Sequence, residues 1–537
     1  MQKGAFWRLF CLRVCNSKRR PNPKHLSFIT MALSPLSPEL LDQHTDLLPN
    51  HKNLLALPEK IIQFGTGVLL RGLPDYFVNK ANQQGIFNGR VVVVKSTNSG
   101  GTDAFESQKN IFSHSIRGIE QGNQVDELVI NSAISRTISA KTNWSEILQC
   151  AQNAELQIVI SNTTEVGIQL TDDDIFASPP ASYPGKLTAY LYERFKTFNG
   201  SPESGMVIVP TELIVNAGQK LKDIVLEQAK RHQLDEKFIS WINTHNHFCS
   251  SLVDRIVPGK PDAETVAAIA EKQGYQDDLL IVSEVYRLWA IEGDAHVRSV
   301  MSFAEADKGV VIEPNIDLYR ELKLRLLNGT HTLACGLCFL HGLDTVSESM
   351  QNAETAAFIA DVMLKELAPA IPYPVDPALA AEFGNQVLDR FRNPFIRHQL
   401  VDITVQYTAK MKLRNIPTLL NHYKNSQDAP QLFAKGFAAF LKFMKPVVHK
   451  DGSYYGDRDG QPYSIRCDSA PYFDEMWKTA ASPLDLAEKV LSDVSLWDTD
   501  LTLLPGFLDA VKANMVEPEE VDTIRIVPGA DAPKIDI

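Results

Sequence analysis

The chain has 537 residues, of which 44% are hydrophobic and 22% are charged. This length exceeds one ordinary hydrophobic core, so we expect two or three domains, and the composition is typical of a soluble globular protein. The formal net charge of −12 argues against nucleic acid as a partner. No apolar run reaches the ~20 residues of a membrane helix, so we expect no membrane partner.

The first thirty residues contain seven basic residues and no acid. This composition is typical of an organelle transit peptide, but Met31 also resembles a native start. We favour the second interpretation, and we expect residues 1–54 to lie outside the fold. Seven cysteines are scattered along the chain without a disulfide framework, which favours a reducing compartment and a cytoplasmic location.

Strand and helix patterns alternate after this lead-in. Short apolar runs predict buried strands, and helical spacing lies between them, for example over 68–81 and 187–198. This order predicts an α/β Rossmann-like domain with a parallel sheet over residues 55–294. The predicted strands are 60–64, 90–95, 155–161 and 205–209.

Helical spacing dominates from about residue 286, so we expect a mainly α-helical C-terminal domain over 295–515 and a tail over 516–537. A Gly- and Tyr-rich stretch at 451–472 is expected to form a surface loop. The predicted helical segments are 286–292, 318–342, 353–367, 399–420 and 431–444.

A glycine loop follows the first predicted strand. Gly65 and Gly67 stand where a dinucleotide-binding fold places its pyrophosphate, at the start of a helix. The third glycine of the usual fingerprint would fall at Leu70 and is missing, so an ordinary strand-to-helix turn is the alternative. The second strand ends at Lys95 without an acid, which by itself leans toward NADP or toward tolerance of both dinucleotides.

Three polar residues at the edge of an apolar run form the pattern Lys323-x4-Asn328-x2-His331. On a helix they can share one broad face. A partly desolvated Lys323 could act as a base toward an alcohol, with Asn328 and His331 orienting the reacting oxygen and a neighbouring hydroxyl. The alternative is a structural helix with an exposed lysine and a satisfied histidine.

A zinc site is the main rival for the same region. His331, Cys335, Cys338 and His341 recur at one-turn spacing, but four ligands stacked along one helix span about 15 Å and cannot share one ion. A second cluster at residues 245–249, His245, His247 and Cys249, lacks a fourth ligand nearby. No G-x-S-x-G elbow is present, which disfavours a serine hydrolase. We therefore predict no metal.

The Lys-Asn-His pattern resembles the signature of the polyol-specific long-chain dehydrogenases, also called the mannitol dehydrogenase family. The glycine loop and the segments 161–167, 252–256 and 391–395 fall in the order of that family. The resemblance covers about residues 58 to 515. It implies metal-independent hydride transfer with NAD, even though Lys95 by itself leans toward NADP.

Within the family, segments such as 61–65, 182–184 and 397–400 are most similar to the members that act on acid sugars. This implies interconversion of D-tagaturonate and D-altronate in hexuronate catabolism, with a small acid sugar as the partner. A mannitol or a fructuronate/mannonate dehydrogenase is the nearest alternative, and a non-catalytic nucleotide-binding protein is the alternative from another class. The sequence leaves the oligomeric state open.

The resemblance also assigns roles to residues. Lys323 would be the general acid and base, Asn328 and His331 would polarise the reacting oxygen, and Asp254 would line the site. Glu212 and Leu213 stand where polyol members carry an Asp-Asn pair, which points toward the uronate branch. The loop residues implied in dinucleotide binding are Gln63, Phe64, Gly65, Thr66, Gly67, Val68, Leu69, Leu70 and Arg71.

An acid-sugar substrate carries a carboxylate, which needs a cation in the site. Lys410, Lys412 and Arg414 follow the 391–395 segment and could reach the cleft. We expect Lys410 and Arg414 to bind the carboxylate. The alternative is a solvated helix face.

Overall fold

A computed structural model describes residues 33–96, 102–163 and 166–516. Residues 1–32 and the tail from 517, for which the sequence made predictions, lie outside this part. The described residues form seventeen strands, numbered β1 to β17: Ser34–Pro35, Glu59–Phe64, Arg90–Lys95, Phe112–Glu120, Asn123–Asn131, Ile134–Ser139, Ile158–Ser161, Val207–Pro210, His247–Phe248, Ser251–Asp254, Tyr275–Gln276, Ile281–Glu284, Leu288–Glu292, Val310–Glu313, Val448–Lys450, Ser453–Arg458 and Gln461–Ser464.

The same part of the chain forms twenty-four α-helices, numbered α1 to α24: Pro38–Gln43, His51–Leu55, Val68–Gly72, Pro74–Gln83, Asp103–Ser107, Trp144–Cys150, Tyr183–Thr197, Ala217–Arg231, Glu236–His245, Ala263–Gln273, Ala295–Val300, Asp317–Leu322, Thr330–Leu340, Val346–Gln351, Ala353–Asp361, Pro377–Phe391, Leu400–Ile403, Tyr407–Arg414, Ile416–Asn425, Gln431–Phe443, Ala470–Thr479, Pro483–Ser492, Val494–Trp497 and Phe507–Met515. Two π-helical segments, Lys323–Gly329 and Val362–Leu367, continue α12 and α15. Short 3₁₀ segments are Pro202–Ser204, Ser302–Ala306, Ala368–Ala370 and Leu501–Leu503.

The central sheet has the strand order β6-β3-β2-β7-β8-β9, and all its neighbouring strands are parallel. Its strands are buried on both faces, because alternate residues contribute to two different cores. Ile61 and Val91 belong to one core, whereas Ile62 and Val92 belong to the other. A parallel sheet covered on both faces matches the predicted fold class.

Smaller sheets extend this domain, in the orders β12-β4-β5 and β10-β13-β14. The prediction of helical spacing over 286–292 is wrong, because Leu288–Glu292 is the strand β13. A short apolar run fits a buried strand as well as a helix. Since β14 pairs with β13, the sheet structure also continues to Glu313, beyond the predicted domain end at residue 294.

Helices pack around one large apolar core in the remainder of the described chain, with α13 at its centre against α20. The predicted helical segment 399–420 is broken into α17, α18 and α19, with Gln406 in a left-handed conformation. The loop predicted over 451–472 is wrong, because β15, β16 and β17 form an antiparallel sheet there and α21 follows it. The side chains in this stretch are mostly polar, so the sequence lacks the apolar alternation that would predict strands.

Residues 34–55 are part of the fold, contrary to the prediction for 1–54. The strand β1 pairs with β11, and leucines of α1 and α2 pack onto Ile111, Ile130 and Tyr275. The polar and Pro-rich composition concealed five buried leucines, which are Leu36, Leu40, Leu41, Leu48 and Leu54. Among the described residues, no helix combines the length and apolar character needed to cross a bilayer.

Candidate active site

The helix that carries the Lys-Asn-His pattern is continuous but changes its winding. The chain runs from α12 through the π-helical segment Lys323–Gly329 directly into α13. Gly329 keeps a helical conformation, and a Cβ there would lie 2.7 Å from the Asn415 side chain. The helix is wider in this segment, and π-helical turns are frequent at functional sites.

Lys323 is anchored at the end of β10. Its Nζ donates to the Val253 carbonyl at 3.0 Å and lies 3.5 Å from Asp254 Oδ1. The lysine side chain is 19% exposed, whereas Asp254 is buried. The amine is therefore held in a fixed position where the helix meets the end of β10, next to one negative charge.

Arg390, on α16, organises this corner and was not predicted from the sequence. It donates two hydrogen bonds to Asp254 (2.8 and 3.0 Å) and two to Glu284 (3.0 and 2.8 Å), and it stacks on Tyr286. Burial by itself would raise the pKa of Asp254, but the charges of Arg390 and Lys323 hold the pKa below its usual range. Arg390 directly precedes the family segment 391–395, and this position is the feature of the sequence that could have pointed to it.

The His331 ring lies one helical turn beyond Asn328. It stacks on Phe391 with ring centroids 4.1 Å apart, and the His398 ring meets it edge-on at 5.1 Å. Burial, followed by the nearby His398, Arg390, Arg414 and Lys410, holds the pKa of His331 well below its usual value. His331 is therefore a neutral imidazole at physiological pH.

Neither the Asn328 amide nor the His331 ring has a hydrogen-bond partner among the described residues. The Asn328 backbone carbonyl, by contrast, accepts from Thr332 Oγ1 and from Arg414 Nη1. Both side chains are half-buried. Half-buried polar groups without protein partners are available to bind a polar ligand.

Two of the three predicted cations lie beside His331. Lys410 donates to the Ile403 carbonyl at 2.9 Å, and Arg414 donates to Thr332 Oγ1 at 3.1 Å. Burial, and then the charge of Arg414, lowers the pKa of Lys410. Lys412 pairs instead with Asp498 at 2.8 Å, in an exposed ion pair on α18. The structure therefore groups Lys410 and Arg414 with the Lys-Asn-His helix and separates Lys412 from it.

The glycine loop joins β2 to α3 at the carboxyl edge of the central sheet. Gly65 has φ +137°, and a Cβ there would lie 2.8 Å from Leu70 and 3.1 Å from the Asn162 carbonyl. A Cβ at Gly67, by contrast, would meet no atom of the described residues within 4 Å. Gly65 is therefore required by the fold, whereas Gly67 leaves space next to an exposed backbone. Thr66, Val68 and Leu69 are partly exposed beside it.

Four of the loop residues predicted to bind a dinucleotide have side chains buried in the fold. Phe64 and Leu70 are in the core, and Gln63 is fully buried. Arg71 donates to the Leu279 carbonyl and lies over the rings of Phe105 and Phe112. Residues near a glycine turn alternate between the outside and the inside of the sheet, so sequence proximity alone could not separate these two groups.

Glu212 is tied to the neighbouring strand end. It accepts hydrogen bonds from Ser161 and from the backbone and hydroxyl of Thr163, and burial raises its pKa. Leu213 beside it is 65% exposed. Lys95 is buried at the end of β3, and residues 97 and 98 after it lie outside the described part. The basic residue that leaned toward NADP therefore does not project freely into solvent.

The alternative zinc clusters are not assembled. Cys335 and Cys338 are buried, and burial raises the pKa of these thiols to about 12 and about 11. His341 bonds within its own helix end, and His247 stacks on His296. Within the described ranges, no group of three or more His, Cys, Asp and Glu side chains is placed to hold a metal ion.

A cavity of about 560 Å³ lies behind the Arg390 corner. Tyr286, Leu322, Phe383 and Arg390 form part of its wall, but Lys323 and His331 do not. It therefore adjoins the candidate site through Arg390 without containing the Lys-Asn-His face.

Comparison with known families places both domains. Residues 59–302 match the family described as Mannitol dehydrogenase Rossmann domain, and residues 315–517 match the Mannitol dehydrogenase C-terminal domain. These matches cover most of the chain. The predicted family resemblance is confirmed.

Curated relatives are similar over nearly their whole length. The chain is 35% identical to an altronate oxidoreductase of Halalkalibacterium halodurans, over 86% of this chain and 90% of that protein. It is 36% identical to the altronate oxidoreductase of Bacillus subtilis, over 84% of this chain and 91% of that protein.

Two solved structures share the fold. A Pseudomonas fluorescens mannitol 2-dehydrogenase, in a ternary complex with NAD and D-mannitol, aligns with a TM-score of 0.61 at 20% identity, over 90% of this chain and 96% of that one. A D-sorbitol dehydrogenase in substrate-free form aligns with a TM-score of 0.68 at 19% identity, over 90% and 100% of the two chains. These identities support the fold alone.

Proposed function

Because the chain belongs to the mannitol dehydrogenase family, we propose that it is an NAD-dependent oxidoreductase that interconverts D-tagaturonate and D-altronate. The observation that carries the proposal is the arrangement of one helix face. The helix carries an anchored amine together with an amide and an imidazole that have no hydrogen-bond partner among the described residues. The names of the curated relatives support the choice of substrate.

The Lys323 amine moves the proton. In altronate oxidation the amine would accept the proton of the reacting hydroxyl, and in the reverse direction it would return that proton to the new alcohol. The nearby Asp254 carboxylate stabilises the ammonium that forms, and Arg390 keeps that carboxylate ionised. Asp254 is thus a charge partner of the base.

Asn328 and His331 orient the oxygen. The amide can donate to the reacting oxygen as negative charge develops there. The neutral His331 ring donates one hydrogen bond and accepts another, which suits a neighbouring hydroxyl that does both. Stacking on Phe391 fixes the plane of the ring.

The substrate carboxylate lies against Lys410 and Arg414. Both side chains are beside His331 and bond to neutral groups, Ile403 O and Thr332 Oγ1, so neither positive charge is compensated by a carboxylate in those contacts. Glu212 is bound to Ser161 and Thr163, and Leu213 beside it stands where a neutral-polyol site would carry an amide. These features favour an acid sugar.

NAD supplies the hydride acceptor, and the glycine loop fits a dinucleotide. The exposed backbone at Gly67 lies at the carboxyl edge of a parallel sheet, where such folds bind a pyrophosphate. The open space at its missing Cβ leaves room for that group. Thr66, Gly67, Val68 and Leu69 are the loop residues that we propose make the contact, with Gly65 shaping the turn.

A substrate panel tests this function. Initial rates with altronate, mannonate and mannitol, each with NAD and with NADP and in the presence of EDTA, should give the highest kcat/KM for altronate with NAD. A higher kcat/KM for mannonate or mannitol would contradict the substrate assignment. Dinucleotide binding without turnover of any of them would favour the non-catalytic alternative.

The proton-transfer role has its own test. Lys323→Ala should lower kcat by roughly 10²–10⁴-fold, the range of general acid–base groups, with an unchanged melting temperature. Lys365→Ala, which removes an exposed lysine paired with Asp361, is the control and should retain full activity. Retained turnover in Lys323→Ala would remove this residue from the proposed role.

A further inference from the structure

A buried polar pair lies directly beneath the glycine loop. Gln63 is on β2, one residue before the strand ends, and Asp75 is in the first turn of α4. Both side chains are essentially inaccessible to solvent. Gln63 Nε2 lies 3.3 Å from Asp75 Oδ2 and 3.4 Å from the Gly65 carbonyl. The amide thus links the carboxyl group to the first residue of the loop.

One atom on each group is left without a partner. Gln63 Oε1 and Asp75 Oδ1 are buried and find no hydrogen bond among the described residues. Both are acceptors when Asp75 is ionised, so they cannot bond to each other in that state. A proton on Oδ1 converts this oxygen into a donor, and a planar acid facing a planar amide can then form two hydrogen bonds.

The charged groups around Asp75 do not provide a hydrogen bond to its unpartnered oxygen. Burial raises its pKa to about 7, against smaller opposing effects of the Gln63 hydrogen bond and the Arg71 charge. Arg71, on α3, is the charged group that acts on Asp75, but its guanidinium donates to the Leu279 carbonyl. Asn131, from β5, donates to the backbone carbonyl of Asp75 and leaves the carboxyl group alone.

We propose that Asp75 is a protonated carboxylic acid in the folded protein and forms a two-hydrogen-bond pair with the Gln63 amide, which positions the glycine loop. Asp75 and Gln63 are then positioning residues for the dinucleotide site. Ionisation of Asp75 removes the donor from Oδ1 and leaves a buried charge under Gly65. The glycine loop is therefore positioned best when Asp75 is protonated, and its affinity for the dinucleotide falls as the pH rises.

The sign of the pH effect follows from linkage. The pKa of Asp75 is higher in the folded protein than in the unfolded chain, so its contribution to stability is complete below the unfolded value. That contribution is lost as the pH rises toward about 7. If only the protonated form binds dinucleotide, the dissociation constant rises about tenfold by pH 8.

The test compares unmutated protein with Asp75→Asn. We expect the dissociation constant of NADH, measured by fluorescence titration from pH 5.5 to 8.5, to be constant at low pH in the unmutated protein and to rise above about pH 7. Asp75→Asn keeps a neutral donor and acceptor, and the rise should be absent. Asp46→Asn, which removes the same charge from an exposed position, is the control and should behave like the unmutated protein.

The double variant Gln63→Glu with Asp75→Asn restores an acid–amide pair with the two roles exchanged, and the pH dependence should return. Parallel pH profiles in the unmutated protein and Asp75→Asn would overturn the proposal.

Infrared spectra test the proton independently of NADH and of variants. At pH 6 the unmutated protein, labelled with ¹³C-aspartate, should show a label-sensitive protonated-carboxyl band that disappears with a midpoint near 7. Absence of this band would overturn the proposal even if dinucleotide binds. Failure to bind NADH, with the band present, would instead contradict the dinucleotide site.

Discussion

Arg390 joins two carboxylates that are distant from it in the chain. Asp254 and Glu284 belong to two strands of the first domain, and Arg390 belongs to a helix of the second. All three are buried, so each charge depends on the others for solvation. The same residue also fixes the carboxylate beside Lys323. The Arg390 guanidinium therefore contributes both to the stability of the contact between the domains and to the ionised state of the carboxylate beside Lys323.

Arg390→Met should destabilise the protein by about 3–5 kcal/mol, because it leaves two buried carboxylates without their cation. The measurement is the melting temperature, with kcat as a second readout. Arg392→Met, which removes a neighbouring arginine from a half-exposed pair with Asp389, should cost no more than about 1 kcal/mol. Equal losses in the two variants would contradict the role of Arg390.

Lys410→Met should raise KM for altronate by about 10- to 100-fold, since a hydrogen bond to a charged group contributes about 1.5–3 kcal/mol. KM for NAD should be unchanged. Steady-state kinetics measures both constants. Lys412→Met is the matched control on the same helix, because its partner is the exposed Asp498. An equal effect in the control would show that general charge, and not a specific contact, was removed.

At the scale of elements, the glycine loop and the π-helical segment both place polar groups at the edge of a packed core, but they do so by different means. The loop does so through backbone, while its larger side chains, such as Phe64 and Arg71, stabilise the fold from inside. The segment Lys323–Gly329 does so through side chains, and its wider winding alters how Lys323 is placed relative to His331.

Gly67→Ala tests the loop as an element. The added methyl group meets no atom of the described residues within 4 Å, so the melting temperature should not change. It enters the space proposed for the dinucleotide, and KM for NAD should rise by about 5- to 150-fold, as expected for an overpacking cost of about 1–3 kcal/mol. Gly65→Ala, by contrast, should fail to fold stably, because of its φ and its contact with Leu70. An unchanged KM in Gly67→Ala would place the dinucleotide elsewhere.

At the scale of the whole molecule, the segment 34–55 closes the first domain. Its leucines cover Ile111, which directly precedes β4, and residues of β5 and β11 that would otherwise be exposed. Burial of a leucine contributes about 1.5–3 kcal/mol before the entropy of ordering the segment is subtracted. The segment is therefore a stabilising layer far from the Lys-Asn-His helix.

A chain that begins at Pro58 should melt several degrees lower than one that begins at Met31, because it loses this layer. Since the layer does not touch the candidate active site, kcat at low temperature should be similar in the two. Thermal unfolding followed by circular dichroism, together with initial rates, checks both expectations. Equal melting temperatures would show that the leucines contribute no net stability.

Local spacing and motif order were enough to predict the family, the parallel sheet and the pattern of Lys323, Asn328 and His331. The sequence also singled out Lys410 and Arg414 from the three cations of this stretch. The packing of α18 adds the contact that Lys412 makes, which is an ion pair with Asp498.

The contact partners of these residues follow from how the elements pack in three dimensions. The Arg390 bridge, the stacking of Phe391 on His331, the burial of Arg71 and the pairing of Gln63 with Asp75 join residues from different elements. The strands at 288–292 and 453–464 also depended on their neighbours, because their short or polar patterns fit more than one local structure. Residue spacing shows which side chains share one face of a helix or strand. The contacts between elements depend on how those faces pack against each other.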